Sequence, residues 1–299
     1  MQAGRVDRIA RDIRRVLAPN PSAMTGPGTN SYLLGRGAGV ILVDPGPDDP
    51  AHLASLHAAL DPGEAIAAII VTHAHKDHSA AAPRLSAQTG APVLAFGDAY
   101  AGRSPLMEQL AQAGLSGGGE GTDTRFRPDR TLHDGQTLPC GDTLLRIIHT
   151  PGHMAGHICL ALGDVLLSGD HAMGWASSLI SPPDGDMGAY MTSLARLART
   201  HWALMLPGHG PEVTEVAARL QALTTHRQMR EAEVLTALSA APATPATLTR
   251  AIYHSIPPAL HAAAERNVLA HLIDLAQRNL VTCQELPASG TIFTRCDPK

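Results

Sequence analysis

Aromatic residues are scarce in this chain of 299 residues, at 3% of the sequence, so its core must be built from Ala, Leu, Val and Ile. Cysteines are few as well, and Cys140, Cys159, Cys283 and Cys296 include no C-x-x-C pair. That excludes a disulfide framework and a thiolate zinc site, and leaves apolar, reduced thiols in a protein expected to be cytoplasmic. No apolar run approaches the roughly 18 residues needed to span a bilayer, so no membrane partner is expected. A dominant charge is missing too: the formal net charge is −4, which gives no general attraction to nucleic acid or anionic lipid. The arginines at 5, 8, 11, 14 and 15 are interspersed with Asp7 and Asp12, and Ile13 to Ala18 reads as a first strand, not part of a targeting helix. Gly117-Gly118-Gly119-Glu120-Gly121 lacks the Gly-Lys-Ser/Thr of a phosphate loop, so 114–121 is expected to be a mobile surface loop.

What the chain does contain is globular: 44% hydrophobic and 17% charged residues, over a length that suits two domains. Short apolar strands alternate with helices through the first two-thirds. Ser31 to Leu34 and Val40 to Val43 flank a hairpin signal, Ala65 to Val71 is a strand, and Ala80 to Thr89 is a helix closed by Gly90. Strands recur at Leu144 to Ile148, Ile158 to Leu162, Val165 to Ser168 and Leu204 to Leu206, with a helix from Met187 to Arg199. Two such halves predict an α/β fold with a sheet-on-sheet core and helices on both outer faces. Beyond about Val216, three helices precede two strands at Leu280 to Glu285 and Gly290 to Cys296, the outline of a winged helix. The expected division is 1–220 and 221–299.

The chemistry concentrates in Thr72-His73-Ala74-His75-Lys76-Asp77-His78, directly after the apolar strand. Three imidazoles and a carboxylate within six residues are costly to crowd unless a cation holds them, and nitrogen with oxygen donors suits zinc-type hydrolytic metals. On an extended segment His73 and His75 face the same way, while Asp77 and His78 lie past the bend, which suggests two metals sharing the loop. Three further strand ends carry His153 with His157, Asp170 with His171, and His209, each beside glycine. His157 and His171 suit either orientation of a ligand or plain packing. Lys76 is expected to be solvated, or to meet an anionic substrate.

In this order the residues resemble the metallo-β-lactamase superfamily, with its H-x-H-x-D-H pattern followed by His, Asp and His, over about residues 13 to 215. The resemblance implies an αββα sandwich. It assigns His73, His75 and His153 to a first metal, and Asp77, His78 and His209 to a second, with Asp170 bridging. Asp44 matches the family's early Asp that supports the metal loop. The implied cofactor is a pair of divalent ions, Zn²⁺ first with iron or manganese as alternatives, sharing a hydroxide activated near neutral pH. Asp77 and Asp170 are the expected catalytic carboxylates, and Asp170 in place of Cys separates the chain from the true zinc β-lactamases. Gly26 to Leu33, Ile180 to Met187 and the winged-helix tail further resemble the β-lactamase-like protein two group, which includes a single-stranded RNA endoribonuclease and thioesterases of polyketide synthesis. Ser79-Ala80-Ala81 stands where many relatives have glycines.

Two substrate classes follow: a small-molecule thioester, ester or lactone, or RNA. Residues 226–299 hold seven Lys or Arg against six Asp or Glu, with Tyr253 and Phe293 as their only aromatics. A nucleic-acid reader is expected to carry a basic stripe with exposed aromatics, so the small-molecule reading is preferred. The winged helix is then expected to cover the active-site side or to form a homo-oligomer surface. Thr29, Asn30 and Ser181 are expected substrate contacts, with turn-stabilising hydrogen bonds as the alternative.

Overall fold

Alternation along short strands decides the architecture. In the computed structural model, which describes residues 2–117 and 121–296, β3 (Asn30–Leu34) and β4 (Val40–Val43) pair antiparallel across the glycine turn. Successive side chains on a strand face opposite ways. Leu34, Ile41 and Val43 therefore join one apolar cluster, and Leu33, Val40 and Leu42 another.

The first sheet continues this pattern in the order β1 (Val6–Ala10), β2 (Ile13–Leu17), β3, β4, β5 (Ile66–Ile70), β6 (Val93–Ala95), β7 (Arg130–Thr131). It is antiparallel up to β4 and parallel beyond. The second sheet runs β12 (Leu204–Pro207), β11 (Val165–Gly169), β10 (Ile158–Leu162), β9 (Thr143–His149), β8 (Thr137–Cys140). Ile158, Leu160 and Leu162 of β10 face the first sheet, while Cys159 and Ala161 face outward. Helices α1 (Pro50–Ala58) and α3 (Ala82–Thr89) cover the first sheet through Leu53, Leu56 and Leu85, with the one-turn α2 (Lys76–Ser79) between them in sequence. After α4 (Pro105–Gln112), α5 (Met187–Leu197) and the start of α6 (Val216–Ala240) cover the second sheet through Tyr190, Leu194, Leu220 and Leu223. This is the expected αββα sandwich.

The far half of α6, α7 (Pro245–Ile252), α8 (His261–Gln277) and the pair β13 (Val281–Thr282) and β14 (Thr294–Arg295) enclose a separate core around Val234, Leu248, Leu269, Leu272 and Phe293. The wing strands are shorter than expected, because Phe293 pairs with Ala243 instead of continuing the ladder. Residue 220, where the division was expected, lies inside the uninterrupted α6. Several elements were not expected, β1 and α4 among them. β1 is a half-exposed edge strand, and α4 has only Met107 and Leu110 buried, both in the winged-helix core. Among the described residues no helix is long and apolar enough to cross a membrane. All four cysteines are free.

His271 of α8 is buried, and neither ring nitrogen has a hydrogen-bond partner. Burial first, then Arg227 and its basic neighbours, push this imidazole from 6.5 down to about 3. The unfolded chain takes up a proton below pH 6.5 that the folded chain refuses until near pH 3, so stability present above pH 6.5 is lost as pH falls. In His271→Leu that loss is expected to be shallower by about 1.4 kcal/mol per pH unit below the unfolded pKa. Denaturant midpoints measured from neutral to mildly acidic pH check it; an unchanged slope would refute it.

Candidate metal centre

Five imidazoles and two carboxylates meet at the carboxyl ends of β5, β9, β11 and β12, where irregular backbone can turn side chains inward. The support begins at Asp44. Its carboxylate accepts from Thr72 N at 2.7 Å, Thr72 Oγ1 at 2.8 Å and His78 Nδ1 at 2.9 Å. Because the Thr72 hydroxyl donates to Asp44, it accepts from His73 Nδ1 at 3.0 Å. Outer nitrogens of two more rings donate to backbone: His153 Nδ1 to Leu179 O at 2.7 Å and His209 Nδ1 to Gly28 O at 3.2 Å. Each of these four rings therefore carries its proton on the outside and turns the Nε2 lone pair inward.

The inward atoms crowd. His73 Nε2 lies 3.0 Å and His153 Nε2 lies 3.1 Å from His75 Nδ1, and His78 Nε2 lies 3.3 Å from His209 Nε2. One proton on His75 Nδ1 serves only one of its two neighbours. Asp170 sits between the groups, with Oδ2 3.2 Å from His209 Nε2, 3.8 Å from His153 Nε2 and 3.9 Å from His73 Nε2. Its Oδ1 is buried without a hydrogen-bond partner, 3.5 Å from His78 Nε2. Asp77 Oδ2 stands 3.3 Å from His209 Nε2 and 3.4 Å from His78 Nε2. Ligands about 2.0–2.2 Å from a tetrahedral ion stand about 3.3–3.6 Å apart, so the spacing and the orphaned oxygen both fit cations. Among the described residues three sets have donor atoms all within 4.8 Å of one another: His73, His75 and His153; His73, His78 and Asp170; Asp77, His78 and His209.

At His73, His75 and Asp170 the electrostatics agree with ligation. Burial, then the neighbouring rings, drive His73 well below its ordinary pKa and His75 down to about 3, so both are neutral donors. Burial opposes the charge on Asp170, but His209 and His78 outweigh it and hold the carboxyl well below its usual range. For His78 burial is outweighed by Asp77, Asp170 and Asp44, which raise it well above its usual value. Gly208 leaves the room: a Cβ there would stand 2.3 Å from Asp170 Oδ1.

A sequence model of the Metallo-beta-lactamase superfamily matches residues 24–209. The chain belongs to that superfamily. A second model, of the Beta-lactamase associated winged helix domain, matches residues 244–286. Beta-lactamase-like protein 2 homolog of Drosophila melanogaster is 30% identical over 90% of this chain and 89% of its own length. Lactamase-like protein adaB of Aspergillus niger is 30% identical over 78% of this chain, which spans 66% of that protein. A beta-lactamase domain protein from Burkholderia ambifaria has the same fold, with a TM-score of 0.80 at 23% identity over 98% of this chain and 94% of its own. Members of the superfamily bind divalent metals and are generally hydrolases.

Around this cluster the remaining histidines brace its residues or pack beside them. His157 is buried, bonded to Thr150 Oγ1 at 2.9 Å, and its Nε2 accepts the Asp170 amide at 3.1 Å. It orients Asp170 through the backbone. His171, also buried, has no hydrogen-bond partner and packs against Tyr190, with ring centroids 4.7 Å apart. Lys76 is exposed, and its amide donates to Gly121 O at 2.9 Å. Residues 118–120 of the expected mobile loop lie outside the described residues.

The three expected substrate contacts are placed otherwise. Thr29 is buried and donates to Asp77 Oδ2 at 2.9 Å. Asn30 is buried and donates to Pro207 O and Gly210 O, both at 2.9 Å, tying β3 to the His209 loop. Ser181 Oγ accepts from Arg266 Nε at 2.9 Å. It borders a hollow of about 10 Å³ beside His75 and His153, room for about one water. All three hold the protein to itself.

Sequence reasoning missed a strut from the winged helix. Arg227 donates to Ser178 O and, at 3.2 Å, to Asn267 Oδ1, which also accepts the Ile180 amide at 3.0 Å. Ser178 Oγ in turn donates to the carbonyls of Asp170 and His171. The α6 and α8 helices thus brace the segment that carries the Leu179 carbonyl under His153. The available signal was an arginine on the apolar stripe of α6, four residues after Leu223. A cavity of about 870 Å³ opens between the centre and this wall, lined on the winged-helix side by Tyr253, Ile256 and Leu260, and opposite by Met24, Met173 and Trp175.

Proposed function

We propose that this chain is a dinuclear metal-dependent hydrolase, most at home on a small-molecule thioester, ester or lactone. In this reading His73, His75 and His153 hold one ion, Asp77, His78 and His209 the other, and Asp170 both. A catalytic unit over 1–220 carries the ligands, and a winged-helix unit over 221–299 closes the site. Zinc is the proposed metal, with iron or manganese compatible with the same donors. When bound, the ions supply a water nucleophile active near neutral pH and polarise the scissile carbonyl. The protein's own part is to keep His73 and His75 neutral, to orient the rings, to hold Asp77 in place through Thr29, and to exclude water along the apolar walls.

The observation that carries this reading is the shape of the site: the clustered donors lie at one end of a cavity whose walls include Met, Trp, Tyr, Ile and Leu side chains. The test is a hydrolysis panel on purified holoenzyme, with acyl thioesters, lactones, a β-lactam and labelled single-stranded RNA. Thioester or lactone turnover that chelation removes and added metal restores is the expected result. Cleavage of RNA alone, absent in His73→Ala, would replace the substrate class.

A further inference from the structure

The cavity has a third kind of wall. His226, Arg227 and Arg230 share the face of α6 that continues Leu223, and all three border the cavity. Arg227 is 1% exposed and forms no ion pair among the described residues. It reaches Ser178 O, Asn267 Oδ1 and, at 5.3 Å, the Tyr190 ring, while its Nε has no hydrogen-bond partner. Arg230 pairs with Glu233 at 2.6 Å and lies 4.7 Å over the Tyr253 ring, and its buried Nε is likewise without a partner. His226 Nδ1 is a third such atom, on a ring whose pKa is lowered by burial and then by Arg227 and Arg230. Away from the metal centre and Lys76 beside it, Arg227 and Arg230 border the cavity with Glu265 as the one lining carboxylate among the described residues.

A guanidinium buried without a carboxylate is costly, since desolvation is not repaid by a counter-charge. Such a group is accounted for when the counter-charge arrives with a ligand, and guanidinium forks suit carboxylate and phosphoryl oxygens. We propose that Arg227 and Arg230 form an anion subsite in the winged-helix wall. The substrate is then an amphipathic acyl compound: a scissile bond at the metal centre, an apolar body along Tyr253, Ile256 and Leu260, and a carboxylate or phosphoryl group on α6. This rests on the acyl-hydrolase reading above and narrows it.

The test compares three thioesters of equal length on holoenzyme, with acyl chains ending in methyl, carboxylate or phosphoryl, in wild type and Arg230→Gln. In wild type, kcat/KM for at least one charged substrate is expected to exceed that for the uncharged one by about tenfold, the charged arm that does so naming the anion. In Arg230→Gln that ratio is expected to fall toward one, through KM. A ratio near one in wild type, or one unchanged in Arg230→Gln, overturns the subsite. Calorimetric titration of octyl phosphate and octanol, at matched metal content, keeps the question separate from hydrolysis. If no thioester turns over, the acyl-hydrolase reading fails, and octyl phosphate binding that weakens in Arg230→Gln still supports the anion subsite. Octyl phosphate binding that does not weaken overturns it. RNA cleavage that falls in Arg230→Gln while the charged thioesters are unaffected overturns it in favour of nucleic acid.

Discussion

Asp170→Ala is expected to lower kcat by at least about 10³-fold, the equivalent of some 4 kcal/mol of transition-state stabilisation, while leaving the fold intact. Its carboxylate lies within 3.9 Å of His73, His78, His153 and His209, and so reaches both halves of the centre. Without it His78 and His209 lose one of the two counter-charges they share, and the two proposed ligand sets lose the carboxylate between them. The fold does not depend on that carboxylate, because the residue is held through its backbone by His157 and Ser178. Turnover, circular dichroism and metal content measured together check this. Wild-type rates in Asp170→Ala, or in fully chelated enzyme, would sink the metal-dependent mechanism.

Asp44→Asn is expected to weaken metal binding by about 10–100-fold, the usual cost of losing a group that orients ligands from behind. Asp44 receives three donors and gives none. An amide of the same shape keeps one acceptor oxygen and turns an NH₂ toward Thr72 or His78, which also donate. Either His78 changes tautomer and loses its inward lone pair, or Thr72 releases His73. The backbone tolerates the change, since Asp44 sits at φ 50° and Asn is among the residues that accept the left-handed region. Titration with metal against a competing chelator reads the affinity. Excess metal is expected to restore much of the activity in Asp44→Asn and none in Asp170→Ala, which separates a weakened site from a dismantled one. Unchanged affinity would remove Asp44 from the account.

The clustered donor residues were legible because each sits in a short local pattern: histidines clustered after an apolar strand, and His or Asp beside glycine at three further strand ends. The sandwich was legible for a similar reason, as the alternation in β3, β4 and β10 is written in consecutive residues. Elements with little local signature were not. α4 buries two residues, and its core partners are more than a hundred positions away. The roles of Thr29, Asn30 and Ser181 depended on which distant atoms met them: Asn30 finds its acceptors 177 and 180 residues on, and Ser181 is bonded to a residue 85 positions away.

The amino-acid sequence by itself determined the donor set, the family and the sandwich with its winged-helix tail, because donor chemistry and hydrophobic period are properties of neighbouring residues. Tertiary structure alone decided which nitrogen of each ring faces inward, since that follows from acceptors such as Asp44 and the Leu179 and Gly28 carbonyls brought from other segments. It also decided that Arg227 and Arg230 of a nearly neutral winged helix border one wall of the cavity. Net charge sums over a surface, whereas recognition depends on the field at one place, and only packing sets where each charge stands.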